Sequence, residues 1–257
     1  MELEGGWWPE RHLQLPTWFS VPAGTSTSSF ELKSFFFLSR TSHRQQNDHF
    51  LPVMAHHSIL PNTRAIILPS ALPTPSHGPG GTFTIACSTR LPASPTTCLS
   101  VVLNAPEYSK WNPFCRTCII DSDPIPNPNP SDAPTGPGYL TLGTAFTFGV
   151  HMDLKDTSSP RATPLVVSVL ERIKDRDERK GWRVAWKMRP TLGIPAWMLK
   201  AERVLEFVES EVEGETDYVC WETFYGVLGG VTRVVVGGKL PAAYEGWNEG
   251  LRGALGS

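Results

Sequence analysis

The chain has 257 residues, the length of one large domain or two small ones. With 40% hydrophobic and 19% charged residues it is neither a charged disordered chain nor a membrane bundle, and a formal net charge of -2 gives no overall electrostatic footprint for nucleic acid. Five Cys are too few for a disulfide scaffold, and the unusual feature is 24 Pro, against an ordinary share of about 5%.

Residues 1–81 carry six of the seven His and nine of the 24 Pro, but none of the five Tyr. Their apolar residues come in short bursts such as Phe35-Phe36-Phe37-Leu38, with neither a helical nor a strand period. Pro69 to Gly81 (PSALPTPSHGPGG) reads as a linker, because Pro removes backbone donors and Gly adds chain entropy. The expectation is a disordered leader and linker over 1–81 and a folded domain over 82–257. Glu2, Glu4 and Glu10 at the start do not suit a secretory signal, and no run approaches the roughly 20 apolar residues of an integral membrane segment. Met54 to Pro106 contains no Asp or Glu, as in a mitochondrial transit segment, although Arg64 and Arg90 are its only basic residues. The expected location is cytoplasmic, or mitochondrial if translation starts at Met54.

Thr82–Arg90 (TFTIACSTR) alternates and reads as a strand. Ser94–Asn104 fits a helix with Ser94 as N-cap and Pro95 in its first turn, and a second short helix or turn covers Pro106–Ser109. Six strands are then expected at 115–121, 141–152, 163–174, 181–189, 200–209 and 216–225. Phe146, Phe148, Val150 and Met152 share one face, as do Trp182, Val184, Trp186 and Met188, which predicts an antiparallel sheet with its other face in water. His151 then falls on the surface, and the charged run ERIKDRDERKG forms a solvated hairpin.

The chain ends in a long helical pattern. Val227, Leu228, Val231, Val234 and Val235 form one apolar stripe, and Leu240, Tyr244, Trp247, Leu251 and Leu255 continue one, so both are expected to be buried. Gly237, Gly238 and Pro241 predict a kink or break between them.

Cys115-Arg116-Thr117-Cys118 lacks a second CxxC, and on a regular strand its thiols point to opposite faces, so no metal or redox centre is expected. Glu202, Glu206, Glu222 and Arg203 are expected as cross-strand ion pairs on the outer face. No nucleophile–base pair stands out, so no catalytic residue is assigned, and no cofactor is expected.

The order of elements and the segments FTIACSTRLPAS, VVLNAPEYSKWNPF, CWETFYGVLGG and AAYEGWNEGLRGAL resemble the START-like (SRPBCC) superfamily, in particular a fungal branch of it. That superfamily includes polyketide cyclase/dehydrase and coenzyme Q-binding proteins. The resemblance covers roughly 82–255. It implies an α+β helix-grip fold: a curved antiparallel sheet of about seven strands around a long C-terminal helix, with two short helices after strand one. It also implies an apolar cavity between sheet and helix. The Pro-rich insertion Asp123–Gly138 and the Gly237–Pro241 interruption depart from the pattern and flank the expected mouth.

The expected partner is therefore a hydrophobic small molecule or lipid, quinone-, sterol- or polyketide-like, with no nucleic acid and with transient membrane contact left open. Phe146, Phe148, Trp182, Trp186 and Trp221 are the expected cavity wall, the alternative being a filled core. Trp111 and Phe114 plug the sheet edge or line the entrance. Arg203, Asn112 and Tyr225 are the expected orienting contacts, Tyr225 exchanging with Phe224 if the register shifts by one. A binding module is the leading reading. The alternatives are a polyketide cyclase/dehydrase-type enzyme using the same cavity and, from a Met54 start, a mitochondrial quinone-binding protein.

Overall fold

The computed structural model describes residues 59–122, 129–155, 160–175, 177–191 and 193–256. The expected leader up to residue 58 and the first part of the Pro-rich insertion lie outside the described residues. Eight strands, β1 (Ile66–Ile67), β2 (Phe83–Leu91), β3 (Cys115–Ser122), β4 (Ala145–Val150), β5 (Arg161–Lys174), β6 (Lys180–Met188), β7 (Lys200–Glu209) and β8 (Thr216–Tyr225), form one sheet. Its order is β1-β2-β8-β7-β6-β5-β4-β3 and every neighbouring pair is antiparallel. Helices α1 (Pro95–Leu103) and α2 (Tyr108–Trp111), joined by a 3-10 turn, separate β2 from β3, while α3 (Gly229–Val236) and α4 (Leu240–Leu255) end the chain. This is the α+β helix-grip architecture.

Local chemistry sets these boundaries. Ser94 caps α1, its hydroxyl accepting from the Thr97 amide at 3.3 Å, with Pro95 following in the first turn. Pro113 keeps Asn112 extended, which ends α2, and the Asn112 Oδ1 accepts from the amides of Phe114 and Cys115 at 3.0 and 2.8 Å. β4 starts at Ala145, later than expected, because Thr141–Thr144 closes a turn with Gly143 at φ +84°. A bulge between Cys115 and Thr117 shifts the strand alternation on which the opposite-face reading of Cys115 and Cys118 rests. The helix break falls between Val236 and Leu240, Pro241 occupying the first turn of α4 where a missing N–H costs no helical bond.

The inner face of the sheet packs on α4, which buries Leu240, Ala243, Tyr244, Trp247, Asn248 and Leu251 along one stripe. The outer face is not in water as expected. Residues 59–78 cross it, and a second cluster of Ile59, Ala86, Ala185, Val204, Val219 and Trp221 forms there, with Leu68 and Leu72 against it. Thr63 and Ser88 exchange backbone and side-chain bonds of 2.9 Å, and Ser76 binds the Glu202 carboxylate through amide and hydroxyl at 2.8 and 2.7 Å. The segment expected to be a linker is thus a strap, several of its backbone groups being met by side chains and backbone of the sheet.

Two further expectations are corrected. His151 is only 8% exposed, its amide bonded to the Phe114 carbonyl at 2.8 Å. The valine stripe of α3 faces outward, Val227 being 70% and Val234 85% exposed, because α3 seats on its Gly229–Thr232 side. A side chain at Gly229 would begin 2.5 Å from the Thr82 hydroxyl, so only a bare backbone permits that approach.

Candidate functional site between sheet and C-terminal helix

Strand alternation decides which expected site residues meet. β4 and β6 turn Phe146, Phe148, Trp182 and Trp186 inward, and all four are buried. Phe148 lies 5.0 Å from Phe146, 5.8 Å from Trp186 and 6.4 Å from Trp247, ring centre to ring centre. Trp111 continues the stack at 5.1 Å from Trp247 and 5.0 Å from Tyr108. Phe114 packs 5.8 Å from Tyr244. Trp182 shares the inner face, but its indole donates to Thr96 of α1 at 3.0 Å and its ring carries the Arg172 guanidinium at 3.9 Å.

Trp221 and Tyr225 do not join them. β8 turns Tyr218, Cys220, Glu222 and Phe224 inward and Trp221 and Tyr225 outward. The Trp221 indole donates to the Pro73 carbonyl at 3.1 Å, and the Tyr225 hydroxyl bonds Gly78 and Thr74 at 2.8 and 2.9 Å. Phe224 takes the inner position, stacked on Phe83 at 4.5 Å.

At the middle of the inner face lies a polar cluster that the expected outer-face ion pairs do not describe. Glu202 and Glu206 do face outward, Glu206 pairing with Arg183 at 2.8 Å. Arg203 and Glu222 are register partners on the inner face, where the guanidinium charge acts on a carboxylate whose hydrogen bond is with Tyr244. Arg203, 4% exposed, has its guanidinium carbon 4.0 Å from the Trp247 ring centre and 4.3 Å from that of Tyr244, and its Nε donates to Cys220 Sγ at 3.2 Å. The Tyr244 hydroxyl donates to Glu222. Burial raises the Glu222 carboxyl above its ordinary value, against the Arg203 charge and the Tyr244 bond. Cys87 stands opposite Cys220 and contacts Asn248 at 3.7 Å. Burial opposes ionisation of Cys220, but the neighbouring Cys87 thiol and the Arg203 bond and charge outweigh it and bring that thiol down to about 6. Cys87 moves well up, through its bond to Cys220 and its burial.

Four side-chain nitrogens of this interior have no hydrogen-bond partner: Arg203 Nη2, Trp247 Nε1, Trp111 Nε1 and Asn112 Nδ2. Their residues are 4, 0, 8 and 2% exposed. Sequence reading placed Arg203, Asn112 and Trp111 here but missed Glu222, Cys220, Tyr244 and Trp247. The i, i+3 spacing of Tyr244 and Trp247 and the opposition of Arg203 to Glu222 were the available signals. Beyond Trp111, a groove of about 580 Å3 opens between α1, α2 and the end of α4, bordered by Val101, Lys110, Trp111, Gly250 and Gly253.

Among the described residues no group of three or more His, Cys, Asp or Glu is placed to hold a metal, and no helix is long and apolar enough to cross a membrane. No family model matches the chain. It is 31% identical over 172 residues to the oxopyrrolidines biosynthesis cluster protein O of Penicillium oxalicum, covering 63% of this chain and 80% of that one. Similar solved structures include a hypothetical protein of Helicobacter pylori, with a TM-score of 0.46 at 13% identity over 66% of this chain and 86% of that one. A START superfamily protein of Mycobacterium smegmatis has a TM-score of 0.41 at 14% identity, over 67% and 96%. With that identity over four fifths of the Penicillium protein, the chain belongs to the family of that cluster protein, and its antiparallel sheet closed on a C-terminal helix is a helix-grip fold.

Proposed function

We propose that the chain binds a hydrophobic small molecule between the sheet and α4, on the wall formed by Phe146, Phe148, Trp186 and Trp247. The observation that carries this reading is a buried guanidinium held against aromatic faces within a small polar cluster that the surrounding apolar side chains enclose. Apolar walls with a few convergent polar groups suit ligands that are largely greasy and need orientation. Trp111 borders the outer groove on one side and Trp247 on the other, which makes the α1–α2–α4 groove the entry. The Penicillium relative, named for an oxopyrrolidines biosynthesis cluster, supports a role with a small organic compound rather than a macromolecule. Native mass spectrometry of protein purified from a eukaryotic host tests the reading. A co-purified apolar mass is expected; ligand-free spectra together with no uptake of fluorescent lipid would overturn it.

A second reading, an enzyme of the polyketide cyclase/dehydrase type, is favoured by the Tyr244–Glu222 hydrogen bond. A carboxyl that burial holds toward its protonated form, coupled to a phenol, can give and take a proton beside a bound carbonyl compound. Metabolite profiles of a producing host carrying Glu222→Gln distinguish the two. An altered product distribution with the protein folded supports catalysis, and an unchanged one leaves binding alone.

A further inference from the structure

The unpartnered polar atoms on the aromatic stack share a sign. Arg203 Nη2, Trp247 Nε1 and Trp111 Nε1, with Asn112 Nδ2 next to Trp111 in the chain, are all donors, and each belongs to a residue more than nine-tenths buried. Buried donors are ordinarily satisfied, so a concentration of them on one stack calls for acceptors brought from outside. Their positions are linked: Arg203 lies 4.0 Å over the Trp247 ring, and the Trp111 ring centre is 5.1 Å from that of Trp247. The nearest carboxylate does not meet them, because Glu222 is turned to Tyr244. One edge of Arg203 is taken by Cys220, which leaves Nη2 as the free corner of a fixed planar cation.

Resting on the ligand-binding reading above, the geometry points to a ligand whose hydrophobic body ends in an acidic oxygen pair, a carboxylate or the enolate of a 1,3-dicarbonyl, received by Arg203 Nη2 and Trp247 Nε1. Trp111 Nε1 and Asn112 Nδ2 then take further carbonyl or hydroxyl oxygens near that head. An anion here gains charge-assisted bonds in a water-poor site from a guanidinium whose Nε is held by Cys220 and whose Nη2 has no hydrogen-bond partner. A neutral alcohol of the same length gains the apolar contacts without that charge. The site accordingly selects acids over alcohols and excludes cations.

Titration of the full chain with matched probes tests this, read by calorimetry and by quenching of tryptophan fluorescence at pH 7.5. The probes are the saturated fatty acids from octanoate to myristate, the alcohols of the same lengths, and 2-decanoylcyclohexane-1,3-dione as the enolate. Acid or enolate is expected to bind about 10- to 100-fold more tightly than the matched alcohol, the ordinary worth of a charged hydrogen bond. Preference for the carboxylate series or for the enolate identifies which acid the site suits, and either result supports the inference. Arg203→Met is expected to bring acid and alcohol within about twofold of each other, and Trp247→Phe, which removes the indole N–H together with its five-membered ring, to reduce the preference without abolishing it. Equal binding of acid and alcohol to the unaltered protein overturns the acidic head group and leaves the ligand-binding reading standing. Failure of every probe overturns both.

Discussion

The guanidinium of Arg203 lies 4.0 Å over the ring of Trp247, a cation on the sheet facing an aromatic on the C-terminal helix, with Cys220 on its Nε. Burying such a charge costs several kcal/mol, and each desolvated cation–π contact returns about 2 kcal/mol. Arg203 is therefore at best neutral for the empty fold. Arg203→Met, of similar reach and without charge, is expected to leave stability unchanged or to raise it by up to about 3 kcal/mol. Urea unfolding measures this. A loss above about 2 kcal/mol would show that the apo fold itself depends on the charge, and the need for a ligand anion would disappear.

Glu222 gives a pH dependence of definite sign. Burial lifts its carboxyl above the unfolded value, so the folded state holds the proton more tightly, and stability is lost as pH rises from the unfolded value through the folded one. Glu222→Gln keeps the shape and the acceptor for Tyr244 but cannot ionise. The variant is expected to gain on the unaltered protein as pH rises above the ordinary carboxylate value, the gain vanishing below it. Paired urea curves above and below that value check it; a difference that does not change with pH means Glu222 is not the titrating group.

The sequence made the sheet legible because β4 and β6 alternate large apolar and polar residues, and Phe146, Phe148, Trp182 and Trp186 stand on the expected face. It misled at β8, where both faces are covered: Glu222 meets Tyr244 of α4 and Phe224 stacks on Phe83 on one side, while Trp221 and Thr223 meet the strap on the other. Alternation carries no information when neither face meets water. The strap itself was illegible for a different reason. Its contacts are single long-range bonds, such as Leu68 amide to Thr84 carbonyl at 2.9 Å and Tyr225 to Gly78, made by a segment without periodicity. Glu222 reads in the sequence as a surface ion, and Arg203 as either a surface ion or an orienting contact, because charge pattern alone does not say which side of a sheet is covered.

The two apolar stripes at the end of the chain look alike in sequence and differ in burial, which predicts different costs of truncation. Val234 is 85% exposed on α3, and Leu251 is fully buried on α4. Val234→Ser is expected to change stability by less than about 0.5 kcal/mol. Leu251→Ala is expected to cost about 2–5 kcal/mol, through lost transfer energy and the cavity left beside the sheet. Thermal and urea unfolding of both variants measures the contrast; a similar cost at Val234 would mean that another surface covers α3.

Gly250 controls how closely α4 approaches α2. A Cβ placed there would sit 2.0 Å from the Trp111 carbonyl oxygen, and that atom is backbone, so no side-chain rotation relieves the clash. In an ordinary helix interior Gly→Ala stabilises by about 1 kcal/mol, because Gly is the poorer helix former. Here overpacking, typically about 1–3 kcal/mol, works against that gain, and contact with backbone puts it at the upper end. Gly250→Ala is accordingly expected to lose about 1–2 kcal/mol and to shift Trp111 away from Trp247, seen as a change in near-ultraviolet circular dichroism. Gly253→Ala, three residues on with nothing within 4 Å of its added carbon, is the internal control and is expected to gain up to about 1 kcal/mol. If both variants gained equally, the close approach of α4 to Trp111 would not be a feature of the folded protein, and the groove beside it would lose its inner wall.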